Sequence, residues 1–199
     1  MRVLIVGANG TVGRTVVAAL GKRHEIVKAG RSSGDVTVDL TRLDSIRAMY
    51  GKAAKLDAVV ACVGHTHFGP LTEMTEAQFM MGLKDKVMGQ VNLVFEGLKH
   101  LNDGGSFTLT SGILSRDPVR QGASASAVDA AIDGFVIGAA IEMPRGMRIN
   151  AVSPGLLQDS AVKYDGFFPG HAPVSSERVG LAFAKSIEGA ITGQVIRVD

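Results

Sequence analysis

The sequence predicts an α/β fold: a doubly wound parallel β-sheet with helices on both faces. Three observations carry that expectation. Short β-branched runs alternate with segments of helical spacing along the whole chain. The run "LDAVVACVG" is apolar almost throughout, as suits a strand buried on both faces of a parallel sheet. A glycine-rich turn, "GANGTVG", joins the first strand to the first helix. A chain of 199 residues has room for one domain with a substantial core, so residues 1–199 are expected to form a single domain.

The elements follow in order. "RVLIV" is the first strand, and "TVVAALGKRH" a helix with Val16, Val17 and Leu20 on one side. "EIVKA" is the second strand, ended by "GRSSG", and "VTVDL" a short third. "TRLDSIRAMY" is a helix with Thr41 as its expected N-cap. After "LDAVVACVG" one long helix is expected from about Thr75 to Leu101, opened by the capping-box pair Thr75 and Gln78. "GGSFTLTSG" is the fifth strand, and the next helix runs from about Ala123 to Met143. "MRINAVSPG" is the sixth strand, and "LLQDSAVKYDGFFPGHAP" is irregular. "SSERVGLAFAKSI" and "GQVIRV" supply a last helix and strand.

Composition narrows the function classes. The chain is 46% hydrophobic and 20% charged, as in folded globular proteins. Its net charge is +2 with both signs interspersed, which argues against a nucleic-acid surface or a polybasic membrane anchor. Cys62 is the one cysteine, so no internal disulfide forms. "MRVLIVG" is too short an apolar run for a signal peptide, and no apolar stretch is expected to span a bilayer. A cytoplasmic protein is the resulting expectation. No Cys, His and carboxylate set has ligand spacing, so no metal site is expected.

Gly7, Gly10 and Gly13 stand in G-x-x-G-x-x-G between strand and helix. Glycines there let the backbone turn tightly and approach a pyrophosphate, whose charge suits a helix N-terminus. Asn9, Thr11 and Val12 belong to the same loop. This is the phosphate loop of a Rossmann fold. NAD-binding sheets usually end the second strand with an acid that holds the ribose hydroxyls. Arg31 stands there instead, with Ser32 beside it. A guanidinium flanked by hydroxyls suits a 2′-phosphate, so NADP(H) is preferred over NAD(H). Asp39 and Leu40 end the third strand near the expected adenine, and Cys62, Val63 and Gly64 end the fourth near the adenosine ribose.

Together these segments resemble the short-chain dehydrogenase/reductase family, almost end to end. "GANGTVG" looks like its glycine motif, and "ACVG" stands where the family has Asn-Asn-Ala-Gly. "GGSFTLTSG" looks like its serine strand, which puts Ser111 at the catalytic serine. "DAAIDGF" looks like Lys-Ala-Ala-x-x-Gly-Phe, and "INAVSPG" places Pro154 and Gly155 at the nicotinamide-side Pro-Gly. "ITGQVIRVD" looks like the C-terminal strand. The resemblance implies oxidoreductase chemistry on a nicotinamide cofactor.

The family's general acid/base is a tyrosine in Tyr-x-x-x-Lys, supported by an asparagine on the preceding long helix. Aligned on Gly134-Phe135, this chain offers Ala125 for the tyrosine and Asp129 for the lysine. Counting back from Gly89 puts Lys86 at the asparagine. No shift of register restores the motif: no tyrosine occurs from Gly51 to Lys163, and no lysine from His100 to Val162. An unpartnered buried carboxylate is costly, so Lys86 and Asp129 are expected within ion-pair distance at the nicotinamide end of the cleft. Ser111 and Lys86 are the candidate catalytic residues.

His65 and His67, in "GHTHFGP", are further proton-donor candidates against a background of ordinary surface histidines. The segment Leu156–Ser175 stands where the family carries its substrate lid and holds Tyr164, Phe167, Phe168 and His171. Ala127, Ala131, Gly134 and Gly138 form a small-residue stripe, for which a homodimer or homotetramer interface competes with close packing on the chain's own sheet. Two functions follow from the residues. One is an NADP(H)-dependent oxidoreductase with a degenerate site, acting on a small carbonyl or alcohol. The other is an inactive NADP(H)-binding sensor or regulatory protein of the same fold.

Overall fold

The computed structural model describes residues 1–164 and 166–199. In chain order they form β1 (Arg2–Val6), α1 (Thr11–Leu20), β2 (Glu25–Gly30), β3 (Val36–Thr37), α2 (Leu43–Ala53), β4 (Leu56–Ala61), α3 (Glu76–Gly82), α4 (Gly89–Gly97), β5 (Leu101–Thr110), α5 (Ala123–Ala140), β6 (Arg148–Pro154), α6 (Ser176–Glu188) and β7 (Val195–Val198). A wide π-helical turn, Leu83–Met88, joins α3 to α4. The strands make one seven-stranded sheet in the order β3-β2-β1-β4-β5-β6-β7, with every pairing parallel. The expected single-domain, doubly wound α/β fold is the observed one.

Alternation within the strands builds two cores. In β1, Val3 and Ile5 join Val16, Leu20, Val179 and Phe183 under α1 and α6. Leu4 and Val6 join Ile46, Met49, Tyr50 and Leu93 on the other face, under α2 and α4. Each of these side chains is at most 1% exposed. Burial of both faces is why β1 and β4 carry no polar alternation.

Several boundaries differ from the sequence reading, for local reasons. Thr41 does not cap α2; its backbone N–H and hydroxyl both donate to Asp39 Oδ1, and the helix begins two residues later after Arg42. The single long helix expected from Thr75 to Leu101 is α3, the wide turn and α4 in succession. Its expected capping box is present: Thr75 Oγ1 accepts from the Gln78 N–H, while the Gln78 side chain takes the Thr75 N–H. The glycine turn is already helical from Thr11. α5 is 18 residues and, by length and composition alone, apolar enough to cross a bilayer, which corrects the expectation that no stretch reaches that limit. Here it covers the sheet between β5 and β6, with Val128, Ile132 and Val136 in the core.

A buried Tyr50 ties α2 to α4 by donating to the Leu93 carbonyl at 2.6 Å. Gly97 faces the same ring: a Cβ there would lie 2.5 Å from the Tyr50 hydroxyl and 2.7 Å from Phe107. Gly51, exposed on α2, has nothing within 4 Å of a Cβ. Gly97→Ala is therefore expected to destabilise by about 1–3 kcal/mol through overpacking. Gly51→Ala is expected to stabilise by about 0.5–1 kcal/mol through helix propensity. Urea denaturation midpoints measure both.

Candidate functional site

The strand order reverses between β1 and β4, and the crevice at such a reversal is where open α/β sheets bind ligands. A cavity of about 570 Å³ opens there, at the carboxyl ends of the strands. Gly7, Gly10, Val12, Arg31 and Leu40 line one end. Lys86, Ser111, Ala125, Asp129, Pro154 and Gly155 line the other, with Cys62, Val63 and Gly64 between them.

The loop end fits a dinucleotide pyrophosphate. Gly7 adopts φ +82°, and a Cβ on it would sit 2.4 Å from the Cys62 carbonyl oxygen. Gly13 packs beneath it, where a Cβ would overlap the Gly7 carbonyl. Only glycine fits at either position, and the backbone is left bare toward the cavity. Gly10 precedes α1 without a side-chain cap, and the first turn holds no acid, so an anion meets neither a competing cap nor a like charge.

Not every expected cofactor residue reaches the cavity. Asn9, Thr11, Gly13, Ser32 and Asp39 are not among its lining residues. Asn9 instead donates from Nδ2 to Ser33 Oγ at 2.8 Å and ties the glycine loop to the turn after β2. Asp39 is occupied by Thr41, whose two hydrogen bonds hold its carboxyl below the ordinary range. Arg31 is at the rim, with a 69% exposed side chain and only a loose contact, 3.8 Å, to Asp39. Cys62 does line the cavity, and burial pushes its thiol up.

At the opposite end a charged pair crosses between two helices. Lys86, on the wide turn, donates from Nζ to Asp129 Oδ1 of α5 at 2.6 Å and to the Ser111 carbonyl at 3.0 Å. The expected ion pair is present at the end of the cleft that carries Pro154 and Gly155. The Lys86 side chain is 13% exposed and that of Asp129 5%. Two glycines make room for the pair. A Cβ on Gly112 would lie 2.4 Å from Asp129 Oδ2, and one on Gly64, at φ +126°, would overlap the Lys86 stem. Burial raises the Asp129 carboxyl above its ordinary 3.8, and the Lys86 ammonium pulls it back only in part.

Ser111 continues the β5 ladder by donating its backbone N–H to the Val152 carbonyl. Its hydroxyl is buried and has no hydrogen-bond partner among the described residues. An ammonium carries three donors. Lys86 commits two of them, to Asp129 and the Ser111 carbonyl, leaving one. Of the two loop histidines, His65 lines the cavity and its Nδ1 lies 3.0 Å from Asp85 Oδ2; the His67 ring packs on Gly69. Phe68, Tyr164 and Phe168 close the mouth as an aromatic cluster with ring centroids 6.1–6.4 Å apart. Sequence reading missed Gly112 and Asp85. "SG" after a serine strand signals a tight approach, but nothing in the pattern indicated a wide turn that faces two adjacent charges toward the cleft.

The family description enoyl-(acyl carrier protein) reductase matches residues 1–199. The chain belongs to the short-chain dehydrogenase/reductase family. A versicolorin reductase of Emericella nidulans is 28% identical over 180 residues, covering 78% of this chain and 68% of that one. A tetrahydroxynaphthalene reductase of Pestalotiopsis fici is 26% identical over 180 residues, covering 78% and 65%. The chain thus spans about two-thirds of the length of these curated reductases. Among solved structures, the protein lin1944 from Listeria innocua is 49% identical with TM-score 0.98 over 100% of both chains. A small-chain dehydrogenase in complex with NADPH is 26% identical with TM-score 0.88, over 100% of this chain and 96% of that one. Members of this dehydrogenase/reductase family bind a nicotinamide dinucleotide, and the glycine loop here fits one.

Two expectations follow from the pair. Lys86→Met leaves a nearly inaccessible carboxylate unpaired and is expected to cost about 3–5 kcal/mol at neutral pH; Lys86→Met/Asp129→Leu recovers most of it in chemical denaturation. Because the folded Asp129 holds its proton more tightly than the unfolded one, its contribution to stability is complete below pH 3.8. It is lost as pH rises through the raised value. Asp129→Asn is expected to flatten stability over that weakly acid window.

Proposed function

We propose that the chain is an NADP(H)-dependent oxidoreductase of small carbonyl or alcohol substrates that works without the family's tyrosine and lysine. The observation that carries this reading is the Lys86 ammonium, pinned between Asp129 and the Ser111 carbonyl inside the cofactor cleft. A bound nicotinamide dinucleotide supplies the hydride chemistry. The protein's part is to orient the carbonyl and stabilise charge on its oxygen. The remaining Lys86 donor and the unpartnered Ser111 hydroxyl point to that role. The names of the two fungal relatives, both reductases, support a reduction as the reaction.

The preference for NADP(H) rests on Arg31. It lines the cavity where an acid would hold ribose hydroxyls, and its 3.8 Å contact with Asp39 leaves the guanidinium available to a 2′-phosphate. The NADPH complex of the 26% identical neighbour is consistent with this.

One observation favours a second reading. Aligned on Gly134-Phe135, the cavity-lining Ala125 and Asp129 stand where the resemblance leads one to expect a tyrosine and a lysine, and losing a positioned general acid typically costs about 10²–10⁴ in rate. A protein that binds NADP(H) to fix its shape, as a sensor or regulator, needs neither group. NADPH consumption with a panel of reactive carbonyls separates the two. Turnover lost in Ser111→Ala and Lys86→Ala supports the enzyme; tight NADPH binding with no turnover supports the binding module. Arg31→Ala is expected to weaken NADPH by about 10–100-fold, the worth of a charge-assisted contact, and NADH by less than about twofold, read by fluorescence titration.

We also infer a homodimer or homotetramer built on α4 and α5. Gly134 and Gly138 are exposed with nothing within 4 Å of a Cβ, so the glycine half of the small-residue stripe does not pack on the chain's own sheet. Exposed Phe95, Ile137 and Ile141 extend the same apolar face. A monomer by light scattering at micromolar concentration would overturn this.

A further inference from the structure

We propose that His65, oriented by Asp85, is the proton donor and acceptor that stands in for the absent tyrosine. The proposal rests on the oxidoreductase reading above and names the group that reading lacks.

The dyad is geometric. Gly64 lies directly on the Lys86 stem, which fixes where the chain leaves β4 and places the next residue, His65, at the edge of the same cavity. Asp85 and Lys86 are consecutive on the wide turn, and each is committed. Asp85 Oδ2 is 3.0 Å from His65 Nδ1, while Lys86 reaches inward to Asp129. A carboxylate on Nδ1 selects the tautomer that carries its proton there, leaves Nε2 as the reactive nitrogen, and stabilises the imidazolium once Nε2 is protonated. The other charged and titratable groups that line the same cavity are Arg31, Cys62, Lys86 on the same turn, Asp129 on α5 and Tyr164. Asp85 is 20% exposed and His65 80%, so the ring exchanges protons with solvent between turnovers.

The step balances. In reduction, the carbonyl carbon accepts hydride from the reduced dinucleotide, which leaves oxidised, and the carbonyl oxygen takes the proton from Nε2. Water reprotonates His65. In oxidation, neutral Nε2 accepts the alcohol proton as hydride departs. His65 is then a catalytic residue and Asp85 a positioning residue, with Lys86 and Ser111 holding the oxygen.

Two readouts test this. The first needs no turnover: long-range ¹H–¹⁵N spectra of the ligand-free protein are expected to show neutral His65 as the Nδ1–H tautomer, and Asp85→Ala to move it toward Nε2–H. A wild-type ring already in the Nε2–H form overturns the dyad. The second is the pH dependence of carbonyl reduction. The wild-type profile is expected to carry a limb that His65→Gln removes, with kcat falling about 10²-fold or more and NADPH affinity unchanged within about twofold. Asp85→Asn is expected to lower kcat less. Turnover with the limb intact in His65→Gln, or lost only in Tyr164→Phe, overturns the dyad and leaves the oxidoreductase reading standing. No turnover by the wild type on any carbonyl overturns both.

Discussion

Two adjacent parallel strands that send their chains to opposite sides define this molecule. β1 leads to α1 on one face, and the chain next to β4 runs on toward β5 on the other. Among the described residues no helix crosses the gap between them, so backbone ends and small side chains border open space there. The bare glycine loop, the apolar end of β4 and the Pro154–Gly155 end of β6 all face that gap.

Within the gap, charge is unusually placed. A lysine comes from the wide turn and an aspartate from α5. The pair is affordable in a low-dielectric site because its hydrogen bonds are short and the Ser111 carbonyl takes a second donor. Room comes from Gly64 and Gly112, each of which lies against one partner. The ammonium is thereby held at one point by two acceptors, Asp129 and the Ser111 carbonyl.

Much of this was legible in the residues. Strand identity followed from apolar runs, and the phosphate loop from glycine spacing at a strand–helix junction, because both reflect local backbone demands. The Lys86–Asp129 contact was legible as well, since a carboxylate on an otherwise apolar helix face needs a partner. What escaped was set by context. Thr41 has the residue type of a cap, but its N–H and hydroxyl both donate to Asp39 Oδ1 instead. The break in the segment from Thr75 to Leu101 escaped because α3, the wide turn and α4 follow one another with no intervening loop or turn residue to mark it. His65 could not be told from an ordinary loop histidine without the carboxylate that the wide turn brings to it.

The wide turn has a consequence for how such a site changes over time. It lies between Gly82, where a Cβ would press on Val128, and Gly89, where one would press on Leu40. Those two close contacts anchor its ends, so an extra residue in the middle is absorbed locally and α3 and α4 keep their places. π-turns of this kind behave as single-residue insertions in a helix. A lineage can thus acquire a new pair of charged positions at a cleft by gaining one codon, with the sheet, the cofactor loop and the packing of both helices left as they were.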